Sequence, residues 1–183
     1  MKDRWSEAQS FRELCELGAR FVEGRIDSFP GWGARELDAE SVPLADTLAR
    51  LNRAGFLTCA SQPGAAPARG TDGVVTARRP FVTGFARLEA AADLAPLARK
   101  EGLFVVSWAS DEAGGDRLPV GLRGKEPYLW AGHAAGREEL RLFSDSLSPA
   151  GLAELERCRW VWAVDLEWKE SERLWKQVLR ALE

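Results

Sequence analysis

Histidine is almost absent from this sequence: His133 is the only one in 183 residues, which excludes metal sites and proton relays built from paired imidazoles. Cysteine is nearly as scarce. Cys15, Cys59 and Cys158 are odd in number, far apart and set among apolar neighbours, as suits buried free thiols and neither a disulfide framework nor a zinc site. No run approaches the roughly 20 apolar residues of a membrane helix, and Met1-Lys2-Asp3-Arg4 opens a polar stretch with no signal-peptide core. A cytoplasmic protein without membrane association is expected. Charge of one sign is also lacking, since 25 basic and 28 acidic residues leave −3 with no dominant block, which argues against a nucleic-acid partner. Nucleophile elbows, Walker loops and dinucleotide fingerprints do not occur. His133 has small neighbours in a stretch read as loop, and the sequence pattern points to no base or carboxylate that would make it catalytic, so no catalytic residue and no metal ligand is named.

What is present is a globular composition, 45% apolar, in a length that suits one domain over residues 1–183. Trp5, Ala8, Phe11, Leu14, Cys15, Gly18, Phe21 and Val22 recur at helical spacing and predict a first helix. Residues 24–38, with Phe29-Pro30-Gly31-Trp32-Gly33, read as an ordered loop carrying exposed aromatics. A second helix should begin near Ser41, whose hydroxyl can cap it ahead of Pro43, and stop at Gly55. Phe56–Ser61 reads as a strand, 62–73 as a loop, and 74–85 as one strand or two broken near Pro80. Residues 88–101 read as helix, and Leu103–Trp108 as the clearest buried strand. Further β-prone pieces fall at 120–123, 128–131 and 139–143. A helix from Ser148-Pro149, a strand at Trp160–Val164 and a closing helix over 170–182 complete an α+β domain, a mixed β-sheet flanked by helices. Trp5, Trp108, Trp162 and Trp175 lie on apolar periodicities and read as core.

One segment rises above this generic reading. Leu37-Asp38-Ala39-Glu40-Ser41 enters the second helix, and Asn52-Arg53-Ala54-Gly55-Phe56-Leu57-Thr58-Cys59-Ala60-Ser61-Gln62-Pro63 leaves it. Both elements resemble, in order and spacing, the C-terminal regulatory domain of methylenetetrahydrofolate reductase. Weaker likenesses follow at Arg78–Phe85, at Gly136-Arg137-Glu138 and at Leu174–Val178, so the resemblance covers 37–183, with 1–36 as an N-terminal helix and loop. The chain also looks like an uncharacterised family of small stand-alone actinobacterial proteins carrying the same Asn-Arg-Ala-Gly-Phe and Ser-Gln-Pro-Gly runs.

The resemblance implies a ligand, S-adenosylmethionine, with S-adenosylhomocysteine competing, and no required cofactor. Carried over by position, the ligand-binding residues are Glu40 with Ser41 and Thr58 with Ser61. The third binding region of the family has two threonines, where this chain has Tyr128-Leu129-Trp130 and Leu142-Phe143-Ser144; Ser144 alone can substitute. Trp32 and Trp130 are candidates to cover a sulfonium or base. A catalytic barrel needs about 250 residues, so flavin chemistry is not expected. Each candidate also has a plain structural reading: Ser41 as an N-cap, Glu40 as a partner of the helix dipole, Thr58 as a β-former, and Asn52, Gly55, Gln62 and Pro63 as stop and turn chemistry. Thr58 and Ser61, three apart, face opposite ways on a regular strand unless the chain turns at Ala60. The function expected is a non-enzymatic binder or sensor of an adenosyl or nucleotide-like metabolite. The alternatives are a protein-interaction module presenting Phe29, Trp32 and the outer face of the last helix, or, last, an enzyme acting on the bound ligand.

Overall fold

The computed structural model describes residues 4–31, 34–110, 112, 114–115, 117–133 and 137–183, with 137–139 described by their backbone. Helix α1 (Phe11–Val22) starts where Ser10 and Glu13 cap each other: the Ser10 hydroxyl accepts the Glu13 N–H at 3.3 Å and the Glu13 carboxylate accepts the Ser10 N–H at 3.2 Å. Its apolar stripe, from Phe11 to Val22, is buried against helix α2 (Ala45–Arg53). A short 3-10 turn, Val42–Leu44, precedes α2. The cap expected from Ser41 is therefore not made: Ser41 has helical backbone angles and its hydroxyl is used elsewhere. Gly55, at φ +90°, ends the helix as its sequence position predicted.

Among the described residues the strands are β1 (Phe56–Gln62), β2 (Ala65–Arg69), β3 (Val75–Arg78), β4 (Phe81–Ala86), β5 (Phe104–Ala109), β6 (Leu118–Arg123), β7 (Glu126–Ala131) and β8 (Arg159–Val164). The α+β class holds, with helices flanking the strands. In place of one mixed sheet there are two, β1-β4-β8-β5 and β2-β3-β6-β7, and every pairing is antiparallel. Arg79 and Pro80 divide β3 from β4 and so separate the sheets, because proline has no N–H to continue a ladder.

Four segments differ from their sequence patterns; the first, read as a buried strand over Leu103–Trp108, is β5, half-buried at the edge of the first sheet. Ala65–Arg69, expected as loop, is the edge strand β2, where Pro67 lies in an irregular stretch between Ala65 and Ala68 and owes no hydrogen bond. Residues 88–101 form two short helices, α3 (Leu88–Leu94) and α4 (Leu97–Lys100), divided at Ala95-Pro96. The stretch 139–143, expected as strand, lies in helix α5 (Arg137–Ser144). Its Leu140-to-Phe143 spacing prevails over the Leu140/Leu142 alternation: Leu140 and Phe143 are buried and Leu142 is exposed. Helices α6 (Pro149–Glu156) and α7 (Glu172–Leu182) follow expectation.

One contiguous core joins α1, α2, α7 and the first sheet. Trp5, Trp162 and Trp175 are buried in it and Trp108 is half-buried. Phe29 is buried too, against Trp5, Phe21 and Phe143, which corrects its reading as an exposed aromatic.

Candidate functional site

Beside β1 a cleft of about 570 Å³ opens between the end of α1, the stretch 34–38 and Leu48 of α2. Phe21, Val22, Phe29, Leu37 and Leu48 give it apolar walls, Ser41, Thr58 and Ser61 bring hydroxyls, and Arg35, Glu36 and Asp38 bring charge. Three of the residues named from the sequence thus share one cavity, Ser41, Thr58 and Ser61.

What aligns Thr58 with Ser61 is a β-bulge. The register runs Thr58 to Gly84 and then Ala60 to Thr83, so Cys59 is the extra residue and the alternation of faces is reset beyond it. A turn at Ala60 was the condition the sequence set for the two to face one way; the irregularity falls at Cys59, one residue earlier. Gly84 permits the close strand approach there, since a Cβ would overlap the Leu57 carbonyl.

Thr58 is held from behind by Asn52. Its backbone N–H donates to Asn52 Oδ1 at 3.1 Å, while Asn52 Nδ2 donates to Thr58 Oγ1 at 2.8 Å and to the Leu48 carbonyl at 2.7 Å. These three bonds fix which end of the amide is nitrogen. Asn52 is wholly buried, and Gly18 of α1 makes the room, for a Cβ there would lie 2.5 Å from Asn52 Oδ1. Sequence reasoning saw only a helix stop in Asn52. The Asn52-to-Thr58 spacing, a polar pair spanning a helix end and a strand start, was the available signal.

Glu40 turns away from this cleft. Its carboxylate accepts from Gln62 Nε2 at 2.7 Å and pairs with the Arg78 guanidinium of β3, and it lines a different groove, with Pro43, Thr47 and Trp175. Arg78 first, then Gln62, holds this carboxyl below its ordinary value. Next to it Ser41 Oγ lies 2.9 Å from Ser61 Oγ and 3.3 Å from the Ser61 carbonyl. Glu40-Ser41 and Ser61-Gln62 therefore grip each other as a two-rung clasp.

The remaining candidates lie apart. Trp130 is on β7 of the second sheet, 40% exposed and outside the cleft. Ser144 is exposed and its hydroxyl donates to the Arg141 carbonyl of its own helix. Trp32 lies outside the described residues, as does Gly136. Cys59 lines the cleft, but burial pushes its thiol, like those of Cys15 and Cys158, well up from the ordinary range, so it stays protonated and weakly nucleophilic. Among the described residues no cluster of His, Cys, Asp or Glu could hold a metal ion, and no helix is long and apolar enough to cross a membrane.

The fold and cleft define a class of α+β proteins: two antiparallel sheets, with a hydroxyl-lined cavity beside an edge strand of one of them. The chain belongs to the family described as Domain of unknown function (DUF6919), matched over residues 1–183. It is also similar to methylenetetrahydrofolate reductase 1 of Schizosaccharomyces pombe, at 37% identity over 59 residues. That stretch is 32% of this chain and 10% of the length of the yeast protein.

Proposed function

We propose that the protein binds a small adenosyl-type metabolite in the cleft beside β1, S-adenosylmethionine or S-adenosylhomocysteine, as a non-enzymatic sensor. The observation that carries this reading is the convergence of Ser41, Thr58 and Ser61 on one cavity of about 570 Å³, within the range of small-molecule sites. The partial likeness to the yeast reductase supports the same class of regulatory domain. A protonated thiol, and Ser41 and Ser61 hydroxyls bonded to each other, suit binding better than turnover. Glu40 serves this site indirectly, by anchoring the clasp that positions Ser41.

Thermal unfolding with either ligand is the direct test. At about 100 times the dissociation constant a ligand contributes about 2.7 kcal/mol, equivalent to roughly 5–10 °C for a domain of this size. An unmoved transition with both ligands at millimolar concentration defeats the proposal. The second reading, a fold kept for protein interaction, is favoured by one observation: Ser41 and Ser61 already satisfy each other. It predicts a silent ligand titration together with a partner that copurifies in stoichiometric amount.

A further inference from the structure

Charge that forms no dominant block along the chain is sorted by the fold. The two segments that build the second sheet, residues 65–79 and 117–131, carry Arg69, Arg78, Arg79, Arg117, Arg123 and Lys125 against Asp72 and Glu126. That is a net of +4 in a chain whose total is −3, so the rest of the molecule carries −7. Glu40 takes back one charge at Arg78, and Arg123 is paired with Asp72. Arg69, Arg117 and Lys125 are exposed at the strand ends.

One face of this sheet is turned outward. Val120, Leu129 and Ala131 pack toward the core, so strand alternation points Tyr128 and Trp130 the other way, where they are 54% and 40% exposed. Gly121 makes the space under the first ring, for a Cβ there would lie 2.8 Å from Tyr128 Cζ. Arg78 is the partner of Gly121 in register, Arg123 that of Glu126, and Trp130 that of Pro119, so these side chains share the outer face. Lys125 stands before this aromatic row and Arg117 opens the neighbouring strand at its far end.

Two exposed rings about 6.7 Å apart along one strand, bordered by surplus positive charge on the open face of a four-stranded antiparallel sheet, have the make-up of a base-stacking platform. An apolar protein surface would cover the rings and leave the charge unanswered. An acidic segment would answer the charge and leave the rings in water, and a duplex hides the faces of its bases. From these features we infer that the outer face of the second sheet binds single-stranded RNA. Successive bases stack on Tyr128 and Trp130, and the phosphates run between Lys125, Arg123 and Arg117. Ribose is selected by Glu126, exposed on the same face two residues before Tyr128, whose carboxylate accepts from a 2′-hydroxyl that DNA lacks. The cleft beside β1 takes no part, since neither ring lines it.

Fluorescence anisotropy of the full chain with a labelled oligouridine of about 10 nucleotides tests this. Log affinity should fall with log salt at a slope of about −2, as contact with about three phosphates requires, and Arg117→Gln/Lys125→Gln should flatten the slope to about −0.7. Tyr128→Ala and Trp130→Ala should each weaken binding about tenfold, with Trp130→Phe close to wild type; melting without RNA confirms that the variants fold. The matching deoxyuridine oligomer should bind about fivefold more weakly, a difference lost in Glu126→Ala. No binding at about 50 mM salt overturns the inference. Binding that survives loss of both rings shows attraction by charge alone and overturns the platform. Equal affinity for the deoxy oligomer overturns the choice of RNA. Self-association that the ring variants abolish, without oligouridine binding, makes the face an interface between copies and likewise overturns the inference.

Discussion

The two sheets of this protein are held by different forces. In the first, β4 is buried along its whole length and β8 from Trp160 onward, with Phe85 packed edge-on against Trp160 and Phe143 at ring distances of 4.8 and 5.5 Å. In the second, Ala77, Val120, Gly121 and Ala131 are the buried strand residues, and β2 is almost wholly exposed. That sheet is fastened by polar clamps. The Arg79 N–H donates to the Val120 carbonyl at 2.9 Å, its guanidinium reaches the carbonyls of Pro119 and Leu166, each at 2.9 Å, and lies 4.3 Å from the Trp168 ring centre. Arg78 adds the pair with Glu40. The lesson is that an apolar sheet builds the fold and positions the cleft, while a polar one is attached to it.

The sharpest test of this asymmetry is Phe85→Ala. It removes a buried ring between two aromatic neighbours and should cost about 3–5 kcal/mol in chemical denaturation. A loss below about 1 kcal/mol would mean that the first sheet is not the centre of stability.

A smaller effect belongs to the charge buried behind the first sheet. Asp165 follows β8, is 1% exposed, and accepts from Arg173 at 2.7 and 3.1 Å and from Ser171 at 2.6 Å. Burial pushes its carboxyl up, but Arg173, Ser171 and the Glu167 N–H outweigh this and hold it below the ordinary 3.8. A depressed carboxyl stabilises the fold fully above pH 3.8, and the contribution is lost as pH falls through the folded-state value. Asp165→Asn should lower neutral-pH stability by about 2 kcal/mol and flatten the acid limb of the stability profile. An unchanged acid limb would show that the network contributes nothing.

How much of this was legible in the sequence follows the same division. Helical spacing disclosed α1, α2 and α7, where one stripe of residues decides burial, and Gly55 disclosed where α2 stops. Pro80 disclosed the break between β3 and β4, though nothing local says that the halves join different sheets. Residues 139–143 misled because Leu140, Leu142 and Phe143 satisfy both periods, and tertiary burial of Phe143 decided between them. At the site, Ser41, Thr58 and Ser61, named together from the sequence, line one cleft, yet the bulge at Cys59 that brings them together depends on the approach of β4 at Gly84, 26 residues away by numbering from Thr58. Glu40 was placed by type and not by geometry, because its partner Arg78 comes from the second sheet.

The polar attachment of the second sheet can be loosened by itself. Arg79→Ala removes two carbonyl contacts and the indole contact, and should cost about 1–2 kcal/mol. Hydrogen exchange should quicken in β6 and β7 while β4 and β8 keep their protection. Uniform acceleration across both sheets would show that they unfold as one unit and that the division is only geometric.

The smallest expected effect separates the second sheet from ligand recognition. Trp130, 40% exposed on β7 and paired in register with Pro119, was a sequence candidate for a ligand cover, but it does not line the cleft. An exposed aromatic in an edge strand contributes through cross-strand packing, about 0.2–1 kcal/mol. Trp130→Ala should therefore lower the melting temperature slightly and leave any shift produced by S-adenosylmethionine unchanged, whereas Ser41→Ala, which removes one rung of the clasp, should reduce that shift. If the Trp130 variant instead loses the ligand response, the second sheet takes part in binding and the cleft beside β1 is only part of the site.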